Sequence, residues 1–479
     1  MTSKNRFLIE KKYLIFNVIF VFLILLMWLL GTKVNVDVIT VCIYVIYIFI
    51  MYKLRPLNMI PFSWIIVMSS LNIIGVFLCQ NANIYLIEMD MHTSYCNSLA
   101  PLVLAYILMM SIMLYKKMDL TQEDIKHNEK SNNGFIYIII GIVSIGIIVW
   151  CLIRAMSHPY YVLKVTRDNY YINYLNSFEQ SIKSHYFMLI PIFVILSRKF
   201  NRKLYYIIFV CLSALWLFLI GEKFGSIFFL LYLIIINSSI SLKLKQVKKY
   251  IIILMVGIFS LLGVVYFQRT VLSNNSNNII GDYFYQRFAQ SGEVWWGTYQ
   301  KINGVHINEF EDEIKYTITN NENELYGQWK MMVTCTSALS AKIRAETRVP
   351  FSMTTTSSIY YFFGIIGIII LYPILGYIYS KVIFCLLKNL KLNKLIETII
   401  LIRILFYANN LIFASDLAII SPKGLIYIIT YIVLTKIHLK NKLKEENITY
   451  EKNWCLNILR ACCKRITKRT VVKKRTWKI

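Results

Sequence analysis

Ser358–Ser380 reads SIYYFFGIIGIIILYPILGYIYS, 23 residues without a single Asp, Glu, Lys, Arg or His. The hydrocarbon core of a bilayer, about 30 Å thick, takes about 20 apolar residues per helix, so this run implies a membrane span. Comparable runs lie at residues 13 to 30, 35 to 51, 60 to 79, 99 to 115, 134 to 153, 185 to 197, 204 to 220, 224 to 240, 250 to 267, 395 to 413 and 417 to 435. Together they give about twelve expected helices. The sixth is short, and the twelfth carries Ser421-Pro422-Lys423-Gly424 near its start. The expected fold is an all-α polytopic membrane protein.

Composition points the same way. Of 479 residues 57% are hydrophobic and 16% charged, with a mean hydropathy of +0.56, too apolar for a soluble globule. The formal net charge is +27. A basic excess of this size fits nucleic acid in other contexts, but here Lys and Arg lie between apolar runs and in one tail, the pattern that sets membrane topology. No nucleic-acid partner is expected.

Counting from the N-terminus, alternate connectors (1 to 12, 52 to 59, 116 to 133, 198 to 203, 241 to 249, 381 to 394 and 436 to 479) hold 36 of the 52 Lys and Arg. Cytoplasmic connectors carry that excess, so both termini are expected in the cytoplasm. Lys4, Arg6, Lys11 and Lys12 precede the first run without a small-residue cleavage site after it. That stretch reads as an uncleaved first span. The ten Cys are scattered and form no disulfide or zinc spacing.

Four regions follow: a nine-helix part, 1–267, with an outer segment at 153–184; a long outer segment, 268–357; a three-helix part, 358–435; and a tail, 436–479. The tail has 14 basic and 3 acidic residues and suits anionic headgroups of membrane lipid. The long segment is nearly neutral, with eight basic and nine acidic residues. A structureless loop of that length is unusual, so both outer segments are expected to carry helices lying on the membrane surface.

Chemistry-bearing residues concentrate in the long segment. Gln286-Arg287-Phe288-Ala289-Gln290-Ser291-Gly292-Glu293-Val294-Trp295-Trp296-Gly297 places an arginine, a carboxylate and two indoles within eleven residues. The planar fork of Arg287 matches a phosphate at any pH, and Glu293 is the nearest carboxylate able to take a proton from a sugar hydroxyl. Six residues apart on one helix they would diverge by about 120°, so convergence needs Gly292 to break the helix. The alternative is an interfacial segment anchored by Trp295 and Trp296, with Arg287 snorkelling.

Other candidates are single residues. Gly221-Glu222-Lys223-Phe224-Gly225 is a turn whose glycines let backbone approach a ligand, or else an ordinary charged turn. Arg403 sits mid-span in residues 395 to 413, where an arginine is costly unless it faces a polar cavity or a partner such as Glu397. Arg269, Arg344 and Arg348 border the outer surface. In segment 153–184, Arg154, Lys164, Arg167 and Lys183 alternate with Tyr160, Tyr161, Tyr170, Tyr171 and Tyr174, tyrosines that suit either interfacial anchoring or stacking on sugars. His158, His185 and His306 also face outward in this topology. No P-loop, dinucleotide fingerprint, zinc-protease or nucleophile-elbow motif is present, and no cofactor or metal is implied.

The span layout, the two unequal outer segments, the 221–225 turn, residues 281 to 297 and Tyr360-Tyr361-Phe362-Phe363-Gly364 resemble the Wzy-type oligosaccharide repeat unit polymerases. In place of that family's paired Arg-to-Gly spacings, this chain has Arg269 to Gly281 and Arg287 to Gly297, and 153–184 contains no Gly. The resemblance implies a metal-independent membrane glycosyltransferase that joins polyprenyl-diphosphate-linked repeats of O-antigen or capsule outside the inner membrane. A chain-length regulator and a flippase are the implied partners. Arg287 and Glu293 would be catalytic; Arg269, Lys223, Glu222, Arg403, Arg344, Arg348, Arg154, Arg167, Trp295 and Trp296 would hold substrate. A flippase or transporter of the same lipid-linked sugars and an O-antigen ligase are the alternatives.

Overall fold

A computed structural model of the chain describes residues 3–86, 88–115, 134–163, 165, 167–199, 204–222, 224–239, 288–319, 327–347 and 355–437, with three isolated residues between 250 and 264. Its helices include α1 (Ser3–Leu30), α2 (Asp37–Leu54), α3 (Ser63–Asn81), α4 (Leu99–Met113), α5 (Gly134–Ser157), α6 (Ser177–His185), α7 (Ile190–Lys199), α8 (Leu204–Leu219), α9 (Phe224–Ser239), α10 (Glu293–Lys301), α11 (Ile307–Thr319), α12 (Gly327–Cys335), α13 (Ala338–Thr347), α14 (Thr355–Lys391) and α15 (Leu395–Phe413). A two-residue antiparallel ladder, β1 (Tyr85–Leu86) with β2 (Met91–His92), joins α3 to α4. Two compact units are formed, Met1–Leu425 and Ile426–Ile479, and α1 to α15 all belong to the first.

Among the described residues, six helices are long and apolar enough to cross a membrane: residues 10–30 of α1, α2, α3, residues 138–157 of α5, α14 and α15. Their packing is inverted relative to a water-soluble bundle. Val18, Phe22, Val38, Phe49, Ile142, Ile366 and Ile370 are exposed, whereas Asn17, Ser69, Asn72 and Gln80 are buried. Inside, polar groups pair across helices, as Tyr47 does with Asn17 (3.0 Å) and Asn72 with Tyr106 (2.6 Å). Such bonds join spans where lipid offers no partner.

Among the described residues, the other expected spans are helical in shorter pieces. Residues 185 to 197 form a 3-10 turn, Tyr186–Leu189, followed by the ten residues of α7. Ser421-Pro422-Lys423-Gly424 begins the last of the described helices and does not interrupt it: the Ser421 hydroxyl accepts from Gly424 N at 3.2 Å, and Pro422 is the first helical residue, where its missing N–H costs nothing. The expected span 250 to 267, apart from three isolated residues, and the expected tail 436–479 beyond residue 437 lie outside the described residues.

The long segment is less superficial than expected. Helices α10 to α13 are present, but α10 is sunk into the bundle and does not lie on its surface. A Cβ on Gly292 would lie 2.2 Å from Val76 N, and one on Gly75 would lie 2.5 Å from Phe288 O. The two glycines therefore let the backbone at 288–292 touch α3 directly. Gly75 is six residues before the end of α3, about 9 Å along the helix.

Candidate functional site around Arg403

Segment 153–184 folds back against the spans. Asn176 and Glu179 form a reciprocal cap that starts α6, satisfying two otherwise unpaired N–H groups. Glu179 is buried and meets Arg154 at 3.3 Å. Tyr170 is also buried, donates to His158 O at 2.9 Å and stacks on Tyr174. Its role is internal packing, not an open sugar platform.

The 221–225 turn is held by the same segment. Gly221 ends α8 at φ +75°, a conformation glycine adopts freely at a helix C-terminus, and a Cβ there would lie 2.4 Å from the Tyr160 ring. Glu222 follows, 6% exposed. Its carboxylate takes Lys183 Nζ at 2.8 Å and the Tyr171 hydroxyl at 2.7 Å on Oε1, and the Ser226 hydroxyl at 2.6 Å on Oε2. Burial pushes this carboxyl up, but the Lys183 charge and the three hydrogen bonds outweigh it and hold the group below its ordinary value. Lys183 also lies 3.4 Å from the Tyr171 ring centroid. Glu222 and Lys183 thus form an ion pair that, with the Ser226 bond, ties α6 to the start of α9.

One residue along, α6 meets α15. Arg403 Nη1 donates to Ser184 O at 2.8 Å, and the guanidinium lies over the rings of Tyr407 (4.7 Å), Phe406 (5.3 Å) and Phe187 (5.7 Å). Its Nε is buried without a hydrogen-bond partner. Glu397, the expected counter-ion, faces Lys394 at 3.6 Å, and among the described residues no carboxylate pairs with Arg403. Arg403 is ten residues, about 15 Å, from the end of α15 at Phe413. Two residues past Ser184 the chain leaves regular α-helix for the 3-10 turn Tyr186–Leu189 at the depth of a span, which is tolerated only where backbone is enclosed or lines a polar cavity.

Glu293, Trp295 and Trp296 do not join this cluster. Gly292 does interrupt the helix, and Glu293 begins a new one. Glu293, however, is 4% exposed and both indoles are fully buried. Trp295 Nε1 donates to Ser98 O at 2.8 Å and Trp296 Nε1 to Ser94 O at 2.9 Å. Both tryptophans are core, which corrects their expected role as sugar platforms. Glu293, enclosed against α3, does not meet an incoming hydroxyl in this conformation. Arg287, Arg269, Lys223, Arg348 and Lys164 lie outside the described residues, as do the side chains of Arg167, Arg344 and Tyr161.

A second polar junction ties the long segment to the α15 end. Glu313 of α11, 5% exposed, accepts Gln328 N at 2.8 Å, the first turn of α12, and stands near Asp416. Burial is the main cause that pushes its carboxyl up to about 7; the bond from Gln328 opposes it and Asp416 adds to it. Asp416 in turn caps the 3-10 turn Leu417–Ile419 through Ala418 N at 2.8 Å. Beside it, His306 stacks on Tyr361 at 4.3 Å, and Tyr361 donates to Glu309 at 2.6 Å. Among the described residues no group of three or more His, Cys, Asp or Glu is arranged to hold a metal.

The contacts made by Lys183, Tyr171 and Ser184 were hidden in the sequence, because their partners lie 39 to 219 residues away. A family model described as a family of unknown function (DUF6418) matches residues 321–428, the part of the chain that carries α14, Arg403 and Asp416. No curated protein and no solved structure matches the chain.

Proposed function

We infer that this protein is a membrane glycosyltransferase, metal-independent, that polymerises polyprenyl-diphosphate-linked oligosaccharide repeats of O-antigen or capsule at the outer face of the bacterial inner membrane. Both termini are cytoplasmic in this reading, and a flippase and a chain-length regulator act beside it. The observation that carries it is Arg403: an intramembrane guanidinium ringed by three aromatic side chains, bonded to one main-chain carbonyl and not neutralised by a carboxylate among the described residues. A cation kept at that depth without a counter-ion is costly unless an anion arrives, and a planar fork in an apolar setting suits a diphosphate.

The chemistry asks little else of the protein. The acceptor hydroxyl oxygen bonds to the anomeric carbon of the growing glycan, and the bond from that carbon to the diphosphate oxygen breaks with its electron pair on the phosphate. The hydroxyl proton passes to the departing diphosphate. Arg403 stabilises the charge that develops on the leaving group, the kind of fixed electrostatic aid worth most where water is excluded. The Lys183–Glu222 pair holds α6, and with it Ser184, at the guanidinium.

Deleting the gene and returning wild-type or Arg403→Ala chain tests this. Single-repeat lipid intermediates on the outer leaflet, with long polymer restored by wild type alone, are expected. Intermediates trapped on the cytoplasmic leaflet would replace this reading with a flippase.

A further inference from the structure

At the loop-bearing end of α1, Trp28, Gly31 and Thr32 face Tyr95 and Asn97 from the loop after β2 and Tyr299 from α10, around a cavity of about 470 Å³. That volume lies in the range of small-ligand sites, roughly 300 to 1,000 Å³. The walls are built by long-range bonds. Trp28 Nε1 donates to the Tyr299 hydroxyl at 3.0 Å, Tyr95 donates to Gly31 O at 2.9 Å, and Asn97 Nδ2 donates to Trp28 O at 2.9 Å. Gln80 Oε1 pins the loop from behind through Ser98 N at 2.9 Å. Tyr299 is braced by Tyr360, stacked at 5.2 Å.

The lining specifies the ligand. Among the described residues none of the lining side chains is an acid, a lysine, an arginine or a histidine, so a phosphate or a zwitterionic headgroup meets no countercharge. The polar groups left over come in both senses. The Tyr299 hydroxyl accepts from Trp28 and keeps its own proton to donate, and burial, the leading cause, pushes its acidity constant up to about 12, so that proton stays. Tyr95 and Thr32 spend their protons on main-chain carbonyls and keep lone pairs to accept. Asn97 Oδ1 is buried against Gly31 and is not part of the accessible lining. Sugar hydroxyls both give and take hydrogen bonds, and their ring C–H faces pack on aromatic side chains.

We propose that this cavity binds an uncharged sugar residue of a lipid-linked glycan, held among Trp28, Tyr95 and Tyr299. The proposal rests on the glycan-polymerase reading, and it adds a carbohydrate subsite made by the first span and the end of α10.

The full chain in nanodiscs of phosphatidylethanolamine and phosphatidylglycerol is photolabelled with a diazirine-bearing dodecyl maltoside and, separately, with diazirine-bearing dodecyl phosphocholine. The maltoside is expected to label the peptides carrying Trp28–Thr32 and Tyr95–Asn97, and the phosphocholine is expected to leave them unlabelled. Thr32→Trp, at the exposed rim, fills the cavity and should cut maltoside labelling roughly tenfold, a loss equal to about 1.4 kcal/mol. Tyr299→Phe, which removes one hydroxyl and keeps the ring, should weaken labelling in the same direction. Equal labelling by both probes, or full labelling of Thr32→Trp, identifies an alkyl-chain crevice and overturns the proposal. Sugar-selective labelling in a chain whose Arg403→Ala variant still polymerises would leave the subsite standing and remove the polymerase assignment of Arg403.

Discussion

Arg403 and Ser184, 219 positions apart, meet at 2.8 Å where the guanidinium of α15 binds the main-chain carbonyl of α6. That bond brings the short segment 153–184 to the middle of a membrane-length helix, where the Arg403 Nε is buried without a hydrogen-bond partner.

Replacing Arg403 separates charge from shape. Arg403→Ala should lower polymer formation by about two orders of magnitude, the scale of a lost transition-state donor. Arg403→Lys keeps the charge but not the planar fork, and should fall between the two. Quantifying chain-length ladders from cells with matched protein levels checks the ranking; equal ladders for the three would remove Arg403 from the reaction.

The Lys183–Glu222 pair predicts a coupled pattern in stability. Lys183→Met leaves a buried carboxylate uncompensated and should cost about 3 kcal/mol, and adding Glu222→Gln should return much of it. Because Glu222 is held below its unfolded value, its contribution is complete above that value and is lost as pH falls through the folded one. Thermal unfolding in detergent at pH 7 and in the acid range should therefore show wild type and Glu222→Gln converging as pH drops.

Glu313 has the opposite sign. Its carboxyl is raised to about 7, so the folded state favours the protonated form, and the stability it contributes at low pH is lost as pH rises through about 7. Glu313→Gln retains an acceptor for Gln328 N and removes the titration. Wild type should lose stability relative to this variant as pH rises from about 4.5 to about 7, the window between the ordinary and the folded value. Parallel melting curves across that window would contradict the assignment.

The crossing of Gly75 with Gly292 is a packing prediction. A methyl group at either position meets main-chain atoms at 2.5 Å or less, which cannot move as a side-chain tip does. Gly292→Ala and Gly75→Ala should each destabilise by about 1 to 3 kcal/mol, seen as reduced yield of folded protein and a lower unfolding temperature.

Much of this architecture was open to reading from the chain. Apolar runs of span length mark α1, α2, α3, α5, α14 and α15 because a bilayer core favours little else, and the cost of Arg403 at the middle of α15 singled it out by physics alone. The Trp295-Trp296 pair was misread for an identifiable reason. An indole at an interface and an indole in a core differ only in where the N–H finds its acceptor, and here the acceptors are Ser98 and Ser94, about 200 residues upstream. Glycines gave an incomplete signal too: a break at Gly292 stood only as a condition for Arg287 and Glu293 to converge, and its contact with Gly75 needs two helices to be laid across each other. The Trp28 cavity gave no local signal, since its walls come from three separate parts of the chain.

The most direct test of the central claim is a transfer reaction with purified chain in nanodiscs and a synthetic polyprenyl-diphosphate-linked repeat, without added metal. Wild type should yield lipid-linked dimers and longer products together with free polyprenyl diphosphate in equal amounts per bond formed, and Arg403→Ala should yield neither. Product formation undiminished in Arg403→Ala, or intact substrate moved across the bilayer with no bond formed, would contradict it.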